Sequence, residues 1–261
     1  MKRTLKNLNG LKVKNMKLVN IQDVKFNLND ELYSWYTRNG CAEVNNESIW
    51  HWHPTISKEM NSFIHLCKMR QYPTFIDIGA HVGIFSFVYC STTINHKCHS
   101  VEPIDNHINK IREVGSINNF NLVSHQLGLN EYVGDAYYKN DHMAIFTKDS
   151  DDKNVKITTL NEFVTSNNIT PNLMKIDVEG YEIPILRKSN LALKNNPDLF
   201  IETHKTEAKI LGYDINEICE HLTSDNYIFY TYDLSKEIKN LKEYINIEDN
   251  MRFVAINKNT I

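Results

Sequence analysis

The sequence predicts an α/β fold in which helices cover both faces of a mostly parallel sheet, preceded by an N-terminal extension. Two observations support this prediction. Between residues 73 and 202, short apolar strand patterns alternate with helical patterns, as in chains that form parallel sheets. The first of these strands ends at Gly79, and a glycine there allows the tight turn that leads from a strand into a helix.

The individual elements are predicted from the spacing of apolar residues. Residues 18–28 favour a strand or a hairpin arm, and residues 57–70 favour a helix because Met60, Phe63 and Cys67 recur at helical spacing. The later strands are predicted at 74–78, 97–101, 122–127, 173–177, 199–202, 227–232 and 252–257, and the later helices at 84–93, 104–117, 159–167, 181–188 and 214–224. Residues 130–152 are polar and are predicted to be irregular, with a hairpin. No helix is predicted between the last two strands, which are therefore expected to pair in antiparallel fashion.

Length and composition describe an ordinary globular chain. The 261 residues, 41% hydrophobic and 23% charged, suit one large domain with additions, and no apolar run could span a bilayer. We divide the chain into an extension, 1–70, and a sheet domain, 71–261. The extension is predicted to be a substrate lid or a dimerisation arm, and the second role would make the protein a homodimer.

Charge and cysteine usage indicate the compartment and the partners. The five cysteines form no C-x-x-C pair and are odd in number, which favours free thiols in a reducing, cytoplasmic compartment. The start of the chain has no apolar segment typical of a secretory signal. The net charge is −3 although the first 22 residues contain only basic charges, so the rest of the chain is acidic and nucleic-acid binding is not expected.

The turn after the first strand of the sheet domain suggests a cofactor site. It contains Asp77, Gly79 and Gly83 in the pattern D-x-G-x-x-x-G, which differs from the G-x-G-x-x-G of dinucleotide sites. Asp77 can accept a hydrogen bond from an ammonium group, and Glu102, at the end of the second strand, can bind both hydroxyls of a ribose. A ligand with a ribose, a cationic amino-acid end and no phosphate is S-adenosylmethionine. The alternative is a purely structural turn followed by a surface glutamate.

Titratable residues also follow the fourth and fifth strands of the predicted sheet. Because ligands bind beyond the carboxyl ends of parallel strands, we expect Asp177, Glu179, Glu202 and His204 to converge there. His204 is the predicted general base, since its ordinary pKa is nearest neutrality. Asp177 would position a substrate hydroxyl or hold the amine of the cofactor, and the two glutamates would orient His204 or bind sugar hydroxyls. A divalent metal is an alternative, but no ligand spacing supports one and none is predicted. Glu182 is predicted only to favour the start of a helix.

Four segments resemble one family. Residues 77–86, 101–103, 175–182 and 201–204 resemble the FkbM-type S-adenosylmethionine-dependent methyltransferases, and the resemblance covers residues 72–205. It implies a Rossmann-like class I methyltransferase sheet of seven strands in the order 3-2-1-4-5-7-6, with an antiparallel last strand. It also implies methylation of hydroxyl oxygens on sugars, polyketides or other small natural products.

The predicted cofactor site combines both arguments. The residues expected to contact S-adenosylmethionine are Asp77, Gly79, His81, Gly83, Glu102, Gly128 and Asp177. Gly128 would border the adenine. His81 departs from the family, which usually has asparagine there, and this change would affect contacts to the methionine end.

The predicted function is O-methylation of a saccharide or another small molecule. One alternative is methylation of a ribose 2′-hydroxyl in RNA, which would require a lysine near the acceptor. The two candidates are Lys175 and Lys205. Strand alternation is expected to point Lys175 away from Asp177. Another alternative is an inactive scaffold that keeps the fold. A nicotinamide dehydrogenase is disfavoured because the glycine pattern is missing.

Several further residues are candidates for the site or for the surface. Residues 50–53 contain two tryptophans and two histidines, which favour either a substrate lid or packing of the extension. His142 and Met143 could line the mouth of the substrate site, whereas His99 and His107 are expected on the surface.

Overall fold

A computed structural model describes residues 16–21, 23–38, 44–45, 48–49, 54–93, 96–138, 146–147 and 153–260. Residues 50–53, His142 and Met143 lie outside the described residues. The strands are β1 Met16–Ile21, β2 Val24–Asn29, β3 Val44–Asn45, β4 Ser48–Ile49, β5 Thr74–Ile78, β6 Lys97–Val101, β7 Leu122–His125, β8 Gly128–Leu129, β9 Gly134–Tyr138, β10 Phe146–Thr147, β11 Lys153–Thr158, β12 Leu173–Ile176, β13 Asp198–His204, β14 Tyr227–Thr231, β15 Glu237–Ile238 and β16 Asn250–Asn257. The α-helices are α1 Asp30–Arg38, α2 Pro54–Arg70, α3 Ile84–Thr92, α4 Asp105–Asn118, α5 Leu160–Ser166, α6 Glu182–Leu186, α7 Lys205–Ile210, α8 Ile218–His221 and α9 Leu241–Tyr244. None of the helices in the described ranges is long and apolar enough to cross a membrane.

The central sheet has the predicted strand order. Its strands run β15-β14-β16-β13-β12-β5-β6-β7, and β5, β6, β7, β12 and β13 are parallel to their neighbours in that group. β16 is antiparallel to both β13 and β14. Without β15, this is the expected order 3-2-1-4-5-7-6 with an antiparallel last strand, which confirms the predicted architecture.

The strand count needs a correction, because the described residues form eight strands in this sheet instead of seven. The additional strand is β15, which pairs with β14 at the edge. A turn joins the two strands, and the Asp233 side chain stabilises it by accepting hydrogen bonds from Thr231 and Ser235. Aspartate favours such turns because its short side chain can bond nearby backbone groups.

A second sheet includes the described part of the region 130–152, and the antiparallel pair β9–β10 within it agrees with the predicted hairpin. Its order is β10-β9-β11-β8, with β9 antiparallel to β11 and β8 parallel to it. The long strand β11 was not predicted, although its Val155 and Ile157 alternate inward and pack with Ile104, Ala136 and Tyr138 in a small core. This sheet lies beside the carboxyl end of β6 and forms one wall of the site.

Other boundaries also differ from the sequence predictions. β13 continues to His204 rather than ending at 202, because its pairing with β16 extends to that residue. The helix expected at 214–224 is a 3₁₀ turn, Ile215–Glu217, followed by the short α8. Neither α7 nor α9 was predicted, since helices of four to six residues are too short to show a helical repeat.

Both faces of the central sheet are covered, as expected. Neighbouring residues of β5 face opposite sides, so Phe75 packs with α2, α3 and α4 while Ile76 packs with α5, α6 and α8. The β1–β2 hairpin joins the first of these layers, where the Phe26 and Phe87 rings lie 5.6 Å apart. Asn118 in α4 donates to the carbonyl of Asn27 and accepts from its N–H. The roles predicted for the extension stay predictions.

Candidate active site

The main cavity lies where the fold class predicts a ligand, beyond the carboxyl ends of the central parallel strands. It has a volume of about 490 Å³, within the range of small-molecule sites. The predicted site residues that line it are Gly79, His81, Glu102, Gly128, Asp177, Glu179, Glu202 and His204. Because β6, β5, β12 and β13 are successive neighbours, Glu102 and His204 mark opposite ends of this row of strands.

The loop between β5 and α3 depends on left-handed backbone conformations. Gly79 has a φ of 75°, and a Cβ there would lie 1.8 Å from the carbonyl oxygen of Asp177, so only glycine fits. His81 also has a positive φ, of 49°. Asparagine and histidine are both enriched in this region, which explains how histidine can replace the asparagine typical of the family. Gly83 does not line the cavity, and a Cβ there would lie 2.7 Å from the Phe87 ring.

Asp77 is buried below the same loop and does not line the main cavity. Its Oδ2 accepts hydrogen bonds from the N–H (3.1 Å) and the hydroxyl (2.6 Å) of Ser86 in α3. The carboxylate instead borders a separate cavity of about 100 Å³. Burial raises the pKa of Asp77, although the charge of Lys175 and the bonds from Ser86 oppose this effect. Asp77 therefore ties the strand end to the first turn of α3.

Glu102 lies at the end of β6 and is 4% exposed. Its Oε2 accepts from the N–H of His81 at 2.8 Å, and its Oε1 accepts from the N–H of Ile104 at 2.9 Å. A carboxylate offers about four acceptor positions, so about two remain for donors from the cavity. Gly128 contributes a surface without a side chain, since a Cβ there would lie 2.4 Å from the Phe146 ring. Glu102 thus keeps acceptor capacity towards the cavity, and Gly128 adds no side chain to its lining.

A cluster of acids surrounds His204 at the opposite end of the cavity. The Nδ1 atom of His204 lies 2.7 Å from Oε1 of Glu182, at hydrogen-bond distance. Its Nε2 atom faces carboxylate oxygens of Glu179 at 3.4 Å, Glu202 at 3.7 Å and Asp177 at 3.9 Å. The fold thus brings three of the predicted catalytic residues to one ring nitrogen of the fourth, His204.

Two cationic side chains contact this cluster, and one of them, Arg252, also lines the main cavity. The Lys175 ammonium donates to Oδ2 of Asp177 at 2.6 Å, and the Arg252 Nε donates to Oε2 of Glu202 at 2.9 Å. Arg252 also lies 3.3 Å from Oε2 of the buried Glu59. The expectation that Lys175 points away from Asp177 was wrong, because side chains two positions apart on a strand share a face.

Burial and charge together set the protonation of the cluster. Burial lowers the pKa of His204, but the hydrogen bond and charge of Glu182 and the charges of Asp177 and Glu179 outweigh it and raise this pKa to about 9. Burial raises the pKa of Asp177, yet Lys175 and His204 outweigh it and lower this pKa below its usual range. Burial and the charge of Asp177 raise the pKa of Glu202 to about 7. In the protein alone, His204 is therefore positively charged at neutral pH.

Sequence reasoning missed two residues of this site. Glu182 was expected only to favour a helix start, but it is fully buried and also accepts from the N–H of Gly180 at 3.3 Å. The available signal was a carboxylate directly before the apolar run Ile183–Leu186, where a charge needs a partner. Arg252 gave no signal, because its approach to Glu202 comes from the pairing register of β16 with β13.

Two histidines expected on the surface are buried. His99 in β6 is 2% exposed, and its Nδ1 lies 3.0 Å from Nε2 of His125 in β7. His107 in α4 is also 2% exposed and lies beside Glu102, with 3.4 Å between its Nδ1 and Oε1 of the glutamate. His99 lies on the same sheet face as Ile76 and contacts the Phe163 ring of α5, and His107 lies on the buried side of α4.

The strand order, the cavity beyond the central strands and the acid at the end of β6 define an S-adenosylmethionine-dependent methyltransferase fold. The chain belongs to the FkbM methyltransferase family, since the model of the methyltransferase FkbM domain matches residues 77–229. This membership confirms the resemblance seen in the sequence. The protein is a methyltransferase, and S-adenosylmethionine is its cofactor.

Solved structures with similar folds include two O-methyltransferases. One, from Bacillus cereus in complex with SAH, is 9% identical and has a TM-score of 0.47, with 87% of this chain and 89% of that chain covered. The other is TomG from Streptomyces achromogenes, involved in tomaymycin synthesis and solved with SAM. It is 10% identical and has a TM-score of 0.47, with 88% of this chain and 91% of that chain covered. No curated protein matches the sequence.

Proposed function

We propose that this protein transfers the methyl group of S-adenosylmethionine to a hydroxyl oxygen of a saccharide or another small molecule. The observation that carries this proposal is the cluster of Asp177, Glu179, Glu202 and His204, which opens into the same cavity as Glu102. Carboxylates and an imidazole can bind several hydroxyl groups at once and can accept a proton from one of them.

The cofactor would occupy the end of the cavity near β5 and β6. Glu102 would bind the ribose hydroxyls through its remaining acceptor positions, and Gly128 would border the adenine. The backbone around Gly79 and His81 would line the methionine end. When bound, S-adenosylmethionine supplies an electrophilic methyl group on a positively charged sulfur.

The acceptor would occupy the end near β12 and β13. Glu202 is 6% exposed, its Oε2 is held by Arg252, and its Oε1 accepts no hydrogen bond from the described residues. We propose that this oxygen of Glu202 takes up the proton of the acceptor hydroxyl. His204, the base expected from the sequence, would instead hold the surrounding carboxylates in place, with Glu182 fixing its ring. A positioned base contributes about 10²–10⁴-fold, and alignment of the acceptor contributes at least as much.

The lysine argues for a small-molecule acceptor over RNA. Lys175 borders the small cavity, not the main one, and its ammonium is bonded to Asp177. A lysine that activates a ribose hydroxyl would need to face the main cavity. The acidic cluster would also repel a phosphate backbone.

The remaining partner and compartment predictions belong to this proposal. The four cysteines in the described ranges, Cys67, Cys90, Cys98 and Cys219, are free thiols, which supports a reducing, cytoplasmic compartment. The extension, 1–70, is proposed as a lid or dimerisation arm for the domain formed by 71–261.

A methyl-transfer assay tests the proposal. The full chain is incubated with methyl-labelled S-adenosylmethionine and with a panel of mono- and oligosaccharides, small hydroxylated metabolites and RNA. We expect label in a small hydroxylated compound and a loss of about 10²–10⁴-fold in kcat for Glu202→Gln. Glu220→Gln removes an exposed acid of α8, outside the site, and should leave the rate unchanged.

The outcomes separate the alternatives. Label in RNA alone would replace the proposal by ribose methylation. Binding of S-adenosylhomocysteine without transfer to any compound would favour the scaffold. A Glu202→Gln variant with full activity would show that another group takes the proton.

A further inference from the structure

Three donor atoms at the acceptor end of the cavity converge on one point. An oxygen of Asp177, an oxygen of Glu179 and a ring nitrogen of His204 all lie within 4.8 Å of one another. Ligands about 2.1 Å from an octahedral ion lie about 3.0 Å apart when adjacent and about 4.2 Å apart when opposite. Side-chain movements of less than about 1 Å would therefore bring all three atoms into a coordination sphere.

The histidine is oriented in the way that a metal ligand requires. His204 is 2% exposed, and its Nδ1 is bonded to the fully buried Glu182. Its Nε2 points at the acids but makes no hydrogen bond within the described residues, since the nearest oxygen, of Glu179, is 3.4 Å away. A carboxylate on the far nitrogen of a histidine is the usual partner that fixes the ring and its tautomer in metal sites.

The carboxylates are oriented in the same way. Lys175 holds one oxygen of Asp177, so the other oxygen is directed at His204. Glu179 has a left-handed backbone, with a φ of 52°, and precedes Gly180, with a φ of 99°. This unfavourable conformation of a glutamate places its carboxylate 3.4 Å from Nε2 of His204, and strain of this kind concentrates at functional sites.

Charge also favours a cation at this point. Four carboxylates, those of Asp177, Glu179, Glu182 and Glu202, surround one imidazole. Two cationic side chains, Lys175 and Arg252, contact this group, and Arg252 is shared with Glu59. Even with a positively charged imidazole, four carboxylates face three cations, and the excess of negative charge grows when His204 gives up its proton to bind a divalent ion, which would offset that charge at close range.

We infer that Asp177, Glu179 and His204 bind a divalent cation and that the cation holds the acceptor hydroxyl for methylation. Two carboxylates and one imidazole suit Mn²⁺, which accepts both hard oxygen and nitrogen ligands. Three protein ligands leave coordination positions open to the main cavity, as in catalytic metal sites. The acceptor would be a compound with two neighbouring oxygen atoms, such as a vicinal diol, because both can occupy adjacent open positions. Glu202, 3.7 Å from Nε2 of His204, lies beside those positions.

This inference rests on the proposed function, so its test separates the two. MnCl₂ is titrated into the full chain without cofactor or acceptor, and the six-line electron paramagnetic resonance signal of free Mn²⁺ is followed. We expect binding of one ion per chain. Glu179→Gln should weaken it at least about tenfold, and so should His204→Gln. Glu179 is partly exposed, so its variant should fold, and the exposed Glu220→Gln is the matched control with unchanged affinity.

A calorimetric titration with S-adenosylhomocysteine, without metal, is run on the same samples. Absence of Mn²⁺ binding at millimolar concentration, or equal affinities of Glu179→Gln and Glu220→Gln, would overturn the cation site. If S-adenosylhomocysteine still binds in that case, the proposed function stands without the cation. Mn²⁺ binding that depends on Glu179, in a chain that does not bind S-adenosylhomocysteine, would support the cation site and refute the proposed function.

Discussion

Replacing Glu102 by glutamine tests the cofactor end of the cavity with little change of shape. Glu102 accepts the N–H groups of His81 and Ile104, one on each carboxylate oxygen. Glutamine keeps one acceptor oxygen and turns the other into an NH₂ group. That group cannot accept the backbone N–H facing it, nor a ribose hydroxyl proton.

The magnitude of this effect follows from the bonds that are lost. A hydrogen bond to a charged acceptor contributes about 1.5–3 kcal/mol. The variant loses one such bond, and the acceptor of the second bond becomes a neutral amide oxygen. We therefore expect binding of S-adenosylhomocysteine to weaken by about 2–4 kcal/mol, a factor of about 30–1,000. The unpaired backbone N–H should also destabilise the folded protein by about 1–3 kcal/mol.

Isothermal titration calorimetry measures the first effect, and urea unfolding without ligand measures the second. Glu220→Gln controls for the loss of one negative charge from the chain. Binding of S-adenosylhomocysteine within about threefold of wild type would refute the assignment of Glu102 to the ribose. If the variant were destabilised but bound normally, Glu102 would serve only to hold the β5–α3 loop.

Two further predictions concern His99 in β6 and Gly128 in the wall of the site. Burial, with His125 and Lys97, lowers the pKa of His99 to about 4, so the unfolded chain takes up this proton first as the pH falls below about 6.5. This contribution to stability is thus present above that pH and is lost towards pH 4. Between pH 7 and pH 5, the free energy of unfolding measured in urea should fall by about 2 kcal/mol more in wild type than in His99→Gln. An equal fall in both proteins would contradict this prediction. Gly128→Ala places a methyl group 2.4 Å from the Phe146 ring. We therefore expect the free energy of unfolding in urea to fall by about 1–3 kcal/mol and the binding of S-adenosylhomocysteine to weaken. Unchanged values would show that Phe146 moves freely.

The family resemblance implied the strand order, and the apolar patterns of the sequence were sufficient for one edge of the sheet. Period and length identified the parallel strands, and parallel strands place their carboxyl ends at the same edge, so Glu102 and Asp177 could be expected near each other. Asp77 shows the limit of this reasoning. It stands at a strand end like the others, but its bonds to Ser86 depend on how α3 begins, which the strand pattern does not describe.

The second layer of the site depends on long-range pairing. Arg252 reaches Glu202 because β16 returns antiparallel beside β13 in one particular register, 50 residues further along the chain. Apolar periodicity shows which face of a strand is buried, but it does not show which residues of two strands lie opposite each other. The small sheet was predicted only as a hairpin for a related reason, since β8 and β10 contain only two residues each and show no alternation.

The contact between Gly79 and Asp177 joins the two ends of the cavity. The missing side chain of Gly79 lets the β5–α3 loop lie directly against the backbone of Asp177, whose N–H in turn bonds to the carbonyl of Ile78 at 3.2 Å. The loop at the proposed methionine end and the first acid of the His204 cluster are therefore held by the same pair of strands. Methyl transfer needs the acceptor oxygen, the methyl carbon and the sulfur in line, and a rigid connection between the two binding regions supplies that alignment before the acceptor arrives. A side chain at position 79 would separate the strand ends and disturb both regions together.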